Sequence, residues 1–273
     1  MLHAVCALID FSFGMHSSGL VHRWLYVHAG ILQRDLSLSN IMYRIVKMKN
    51  KRGVVEEKIY GVLTDFDLAS WRKDLKKDHT KTSQQRTGTP PYMVHGLLNG
   101  KDNIHLYRHD MESLFYIMLI LATHYEVKAP EEGDEGGIRP RGGELLPYRK
   151  WFNQPLYDDL ADFKKSFLLD LTPHNLSPGF EDFRSWLWNL HLSFTRGIRS
   201  RSTHEESMAM LLHGGGRSEN EATSEFDDET LGGHVTYSAL INSARELKGE
   251  LEGLIIRFDP PISTSDGPAG AGS

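Results

Sequence analysis

The sequence predicts an α+β fold, mainly helical, with one small β-hairpin. Three observations carry that prediction. Residues 114–121 read Leu-Phe-Tyr-Ile-Met-Leu-Ile-Leu; a helix with no polar face belongs in the middle of a domain. Amphipathic helical spacing recurs on both sides of that run. Two strand-like stretches, 41–46 and 58–65, flank a short basic segment, the pattern of a hairpin.

Taken in order, residues 2–13 place Leu2, Val5, Cys6 and Ile9 at helical spacing. A second helix follows: Ser17 or Ser18 caps it, Leu20, Val21, Trp24, Leu25 and His28 form one face, and Gly30 ends it. The hairpin tip, Lys47 to Gly53, reads as a solvated turn. Residues 68–88 are polar and form a long loop, a type that tends to be functional or mobile. The buried helix opens at His109-Asp110-Met111-Glu112-Ser113, and 129–147, rich in Gly, Pro and Glu, reads as a surface loop. Two amphipathic helices come next. The first presents Leu156, Leu160, Phe163 and Phe167; the second starts at Ser177-Pro178 and buries Phe180, Phe183, Leu187, Leu190 and Phe194. The expected organisation is a lobe over 1–197, a charged, flexible insertion over 198–230, a terminal helix over 231–258 packing on the lobe, and a disordered tail over 259–273.

Composition narrows the class. With 273 residues, 40% hydrophobic and 25% charged, the chain is an ordinary globular protein of one large or two small domains. A net charge of -5 gives no basic field for nucleic acid. The single cysteine, Cys6, cannot pair internally and fits a reducing compartment, so an intracellular location, cytoplasmic or nuclear, is expected. No signal peptide is expected over 2–13, which contains His3 and Asp10 and lacks a basic start. The longest apolar run is far short of the roughly 20 residues that span a bilayer, so no membrane partner is expected.

The stretch that organises the chain is Gln33-Arg34-Asp35-Leu36-Ser37-Leu38-Ser39-Asn40, followed by Thr64-Asp65-Phe66-Asp67. It sets a carboxylate and a carboxamide five positions apart, with a second carboxylate at the end of the next hairpin. Phosphoryl transfer uses such a set: one acid orients the attacking hydroxyl, and an amide and a second acid hold magnesium. Asp or Asn alone reads as a turn cap; the ordered set reads as a site.

That order continues through Gly88-Thr89-Pro90-Pro91-Tyr92-Met93 and the His109-Asp110 helix start. Over roughly residues 15–195 it resembles the C-lobe of a protein kinase, most closely the fungal-type protein kinase family. The resemblance implies ATP and magnesium as cofactors and Ser/Thr of a protein as substrate. By the same resemblance Asp35 orients the hydroxyl and takes its proton, and Asn40 and Asp65 bind magnesium. Arg34 pairs with the loop over 68–88, with Thr80, Thr82, Ser83 and Thr87 as candidate phosphosites. Gly88 and Thr89 shape the peptide platform, and Asp110 braces the catalytic loop.

Departures from the family pattern accompany it. Gln33 stands where a histidine is usual, Asp67 where many kinases have glycine, and Val94-His95-Gly96 where a glutamate would form a buried ion pair. Only 34 residues precede Asp35, and no Gly-x-Gly-x-x-Gly occurs. The expectation is therefore a C-lobe lacking its N-lobe, weakly active or inactive as it stands. A catalytically dead binding module and a small-molecule phosphotransferase of the aminoglycoside or choline type are the alternatives. A zinc site on the His105/His109 pair lacks a third ligand. A hydrolase reading of His213-Gly214-Gly215-Gly216 lacks a Gly-x-Ser-x-Gly nucleophile.

Overall fold

A computed structural model of the chain describes residues 21–49, 52–75, 88–128, 137–142, 146–154, 156–213 and 225–244. Among the described residues helices predominate, with three two-stranded antiparallel sheets. The expected helix over 2–13, the disordered tail and the candidate phosphosites Thr80, Thr82, Ser83 and Thr87 lie outside the described residues.

Helix α1 (residues 21–29) widens to a π turn over Leu25–Ala29 and stops at Gly30, whose φ of 67° closes the helix through an N–H bond to Leu25. Glycine adopts that left-handed turn without a Cβ penalty. The buried side chains of α1 are His22 and Tyr26; Trp24 and His28 stay exposed. Of the expected apolar face, Val21 and Leu25 pack against the core while Trp24 and His28 do not; His22 and Tyr26 are buried beside them, because α1 also meets the acidic and phenolic groups described below.

Strand β1 (Ile31–Leu32) pairs with β4 (Ser70–Trp71), so the predicted loop over 68–88 contributes a short strand. The hairpin β2 (Ile41–Lys49) and β3 (Val55–Leu63) pairs Ile41 with Leu63 through Lys49 with Val55. It is longer than the pattern predicts, since Lys47 to Lys49 extend the strand; lysines are well tolerated on edge strands. Helix α2 (His95–Leu98) precedes α3 (Tyr107–His124). Every residue of α3 from Tyr107 to Thr123 is buried, and its start lies two residues before the predicted one. A second hairpin pairs β5 (Tyr125–Lys128), just before the region expected to be loop, with β6 (Gly137–Pro140), which stands inside it. Its first strand follows α3 directly, so the partner strand is brought back by chain connectivity rather than by its own composition.

Helices α4 (Lys150–Asn153) and α5 (Tyr157–Leu169) follow. The buried face of α5 is Leu160, Ala161, Lys164 and Leu168; Leu156 and Phe163, predicted to be inside, are exposed. After a 3-10 turn over Glu181–Phe183, α6 runs from Arg184 to His213. All five apolar residues predicted for this region, Phe180 to Phe194, are buried. The helix passes without a break through residue 198, where an insertion was expected; Ile198 is buried and Arg201 forms ion pairs, which together carry the helix onward. Helix α7 (Tyr237–Ala244) packs on α6 and buries Leu240; Leu247, Leu251 and Leu254 lie outside the described residues. The core is centred on α3, with Phe115, Tyr116, Ile117 and Leu119 almost fully enclosed.

Candidate active site

The catalytic-loop candidate begins where β1 ends. Gln33 is buried, and its carboxamide works in both directions. The oxygen accepts the Asp35 N–H at 2.9 Å, while the nitrogen donates to the Asp65 carbonyl at 3.0 Å and more weakly to Thr64 at 3.4 Å. One planar group with a donor and an acceptor thus ties the loop carrying Asp35 to the turn carrying Asp65. Arg34 then takes φ 74°, a left-handed conformation unfavourable for a residue with a Cβ. Its N–H is held by the Asp110 carboxylate at 3.1 Å.

Asp35 is half-buried. Its Oδ1 accepts from the Thr89 N–H at 3.0 Å and from Thr89 Oγ1 at 3.3 Å. Asn40 Nδ2 donates to the Asp35 carbonyl at 2.9 Å and sits 3.4 Å from Asp35 Oδ2. Oδ2 is therefore the less engaged oxygen. Gly88 precedes this contact with φ 123°; a Cβ there would lie 3.2 Å from Met93 and 3.6 Å from Asp35 Oδ1. The close approach and the dihedral both favour glycine.

The Asn40 carbonyl accepts from Thr64 N–H at 3.0 Å and Thr64 Oγ1 at 3.2 Å, so the end of β3 is latched to the loop. Asp65 follows at φ 55°. Its carboxylate is exposed and has no hydrogen-bond or ionic partner among the described residues. Through Thr64 and Gln33, the turn that carries Asp65 is bonded by its backbone to the loop that carries Asn40 and Asp35. Among the described residues no group of three or more His, Cys, Asp or Glu could hold a metal ion. His105 is paired with Asp110 and His109 with Asp102.

Arg34 Nη1 donates to Ser70 Oγ at 2.6 Å, which links the loop to β4. Asp110 lies at the first turn of α3, fully buried. It accepts from His22 Nε2 and His105 Nε2, each at 2.7 Å, as well as from the Arg34 amide. Burial opposes its ionisation, but the imidazoles of His105 and His22 outweigh it, and the pKa is held far below the carboxylate range.

Residues 88–98 are anchored without the glutamate that the family pattern would place there. Lys164, buried on α5, donates to the carbonyls of Pro90 (3.2 Å), Pro91 (2.8 Å) and Met93. Its ammonium lies over the rings of Tyr116 (4.3 Å) and Trp151 (5.0 Å). Burial pushes its pKa well down while the Glu112 carboxylate pulls it up. Three carbonyl acceptors match the three N–H donors that only the ammonium form has. Beyond it, Asp102 accepts from Arg108, His109 and Arg201 at 3.1, 3.0 and 2.7 Å. A Cβ on Gly96 would overlap the Asp102 carboxylate at 1.9 Å, so only glycine lets α2 close on that ion cluster. Sequence reasoning missed Lys164 and Asp102. The available signal for Lys164 was its place on the buried face of α5, four residues from Leu160 and Leu168.

Among the described residues no helix is long and apolar enough to cross a membrane. No curated protein and no solved structure matches the chain. A family model does match, and it spans the helix before the Asp35 loop, the loop itself, the hairpin, Asp65 and the buried helix that carries Asp110. Over residues 19–122 the chain is similar to the fungal protein kinase family.

Proposed function

We propose that the chain is the C-lobe of a protein kinase-like phosphotransferase, which moves the γ-phosphoryl group of ATP to a serine or threonine hydroxyl of a protein. The observation that supports this reading is the side chain of Gln33, which joins the backbone of the Asp35 loop to that of the Asp65 turn, while Asn40 bonds Asp35. Asp35 Oδ1 is oriented by Thr89, leaving Oδ2 to receive the proton of an acceptor hydroxyl. Thr89 belongs to the segment held by Lys164, so the platform for an extended peptide and the proton acceptor are fastened to each other. That coupling favours a protein acceptor over a small alcohol.

Asn40 and Asp65 are the residues that would hold magnesium. Asn40 commits its Nδ2 to Asp35, leaving Oδ1, which takes a long 3.4 Å bond from Ser39 Oγ, as its acceptor, and the Asp65 carboxylate is exposed. A hard cation that draws its other ligands from phosphate and water suits two such oxygens. When bound, magnesium and ATP supply charge neutralisation and the group to be transferred. The lobe in this reading extends through α6 and α7 rather than ending at residue 197. Arg34 remains the candidate partner for a phosphate on the segment read from the sequence as a loop over 68–88.

The test is transfer of labelled γ-phosphate to a peptide library and to small alcohols, with magnesium. Peptide labelling that falls at least about a hundredfold in Asp35→Asn is expected. Nucleotide binding without transfer would leave a binding module, and transfer to small alcohols alone would make the chain a small-molecule phosphotransferase.

A further inference from the structure

Residues 225–244 lie downstream of the matched span, yet they are fastened to the back of the candidate site. Tyr26 on α1 donates to Glu229, Tyr107 Oη donates to the Val235 carbonyl at 3.0 Å, and Arg201 pairs with Asp228 at 3.3 Å. The rings of Tyr107 and Tyr237 stack with centroids 4.9 Å apart and planes at 14°. Beneath the stack, Tyr237 Oη lies 2.7 Å from His22 Nδ1, and His22 Nε2 lies 2.7 Å from Asp110 Oδ2. The same Oδ2 accepts the Arg34 N–H. Four groups from α7, α1, α3 and the catalytic loop thus form one buried line.

Hydrogen positions follow from chemistry. Asp110 only accepts, so His22 Nε2 carries the hydrogen. Burial and the Asp110 charge push the Tyr237 phenol far up, so it keeps its proton. That proton is donated to Nδ1, and both ring nitrogens are satisfied in one tautomer. Without the phenol, Nδ1 has no donor among the described residues, and none of these distinguishes the tautomer that serves Asp110. The left-handed Arg34, next to Asp35, depends on Asp110 to hold its amide.

We propose that residues 225–244 are an intramolecular brace on the catalytic loop, with Tyr237 as a positioning residue acting through His22 and Asp110 on the Arg34 amide. The consequence for phosphoryl transfer rests on the function proposed above; the brace itself does not. Hydrogen exchange on the full chain tests it directly. In Tyr237→Phe the Arg34 amide exchanges about fivefold faster or more, as loss of one buried hydrogen bond implies, while α5 keeps its rates. The control is Tyr107→Phe, which removes a hydroxyl bond to the same segment but leaves the line to Asp110 intact; there Arg34 exchanges as in the unaltered protein. The His22 ring-nitrogen NMR shifts move in Tyr237→Phe and stay in Tyr107→Phe. Unchanged Arg34 exchange in Tyr237→Phe, equal acceleration in both variants, a uniform rise across α5, or unmoved His22 shifts would overturn the proposal. In a phosphotransfer assay the same variant lowers kcat and keeps the KM for ATP. Complete absence of transfer in the unaltered protein would count against the proposed function and leave the exchange data to decide the brace.

Discussion

Gln33 ties two backbone groups together with a single amide. It needs one acceptor for the Asp35 N–H and one donor for the Asp65 carbonyl, and it has both. Gln33→Ala leaves those two backbone groups unpaired beside the core, and a loss of roughly 2–4 kcal/mol in denaturant-derived stability is expected. Gln33→His, with one ring nitrogen of each kind, should recover at least half of it. Equal losses in the two variants would show that packing volume, not hydrogen bonding, is what the position supplies. Arg34 and Asp65 belong to the same scale: both sit at positive φ, and both are kept there by contacts from outside the loop. Their strain was invisible in the amino-acid order, because it arises only when distant donors and acceptors are in place.

At the scale of elements, α5 and the segment 88–98 form one unit through Lys164. Removing the ammonium leaves three carbonyls without their donors, a loss that outweighs the relief of taking a charge out of the interior. Lys164→Met, which keeps the length of the side chain, should destabilise the protein by roughly 2–4 kcal/mol. Limited proteolysis should then cut first within 88–98 rather than in α6. A stable variant with an intact 88–98 segment would mean that Asp102 and its ion cluster suffice as the anchor. The predicted face of α5 was rotated for the same reason. Hydrophobicity ranks Phe163 above Lys164, but the surface that α5 meets is a row of carbonyl oxygens flanked by aromatic rings. The extension of α6 past residue 198 has a similar cause. Its charged turns read as solvent-exposed, whereas Arg201 there faces Asp102 and Asp228.

Across the whole molecule, the buried His174–His191 pair is expected to contribute to the response to acid. His174 stacks on His191 with centroids 5.0 Å apart, and their nitrogens meet at 3.2 Å. Burial first, then the neighbouring His191 and Arg184 charges, lower the His174 pKa from 6.5 to about 4. Its folded value is thus below its unfolded one, so between those limits the unfolded chain binds the extra proton. Stability is full above about pH 6.5 and declines as pH falls toward about 4, by on the order of 2–3 kcal/mol from this group alone. Asp110, whose folded pKa is depressed, contributes stability that is present above its unfolded value of 3.8 and is lost only at lower pH. Denaturation midpoints from pH 7 to 4 measure the slope. His174→Gln should flatten it by about one proton, and an unchanged slope would assign the acid sensitivity elsewhere.

The amino-acid order by itself determined the buried helix, the hairpin, the glycine stop of α1 and the sequence in which Asp35, Asn40, Asp65 and Asp110 occur. These are local matters, decided by periodicity, turn chemistry and spacing within a few residues. It could not supply the partners of Gln33, Lys164, Asp102 or Tyr237. Each of those side chains is explained by an acceptor or donor tens to hundreds of positions away, and a polar residue looks solvent-facing until its distant partner is known. Folding brings the two ends of each such bond together, and a buried polar group is tolerated only once that has happened.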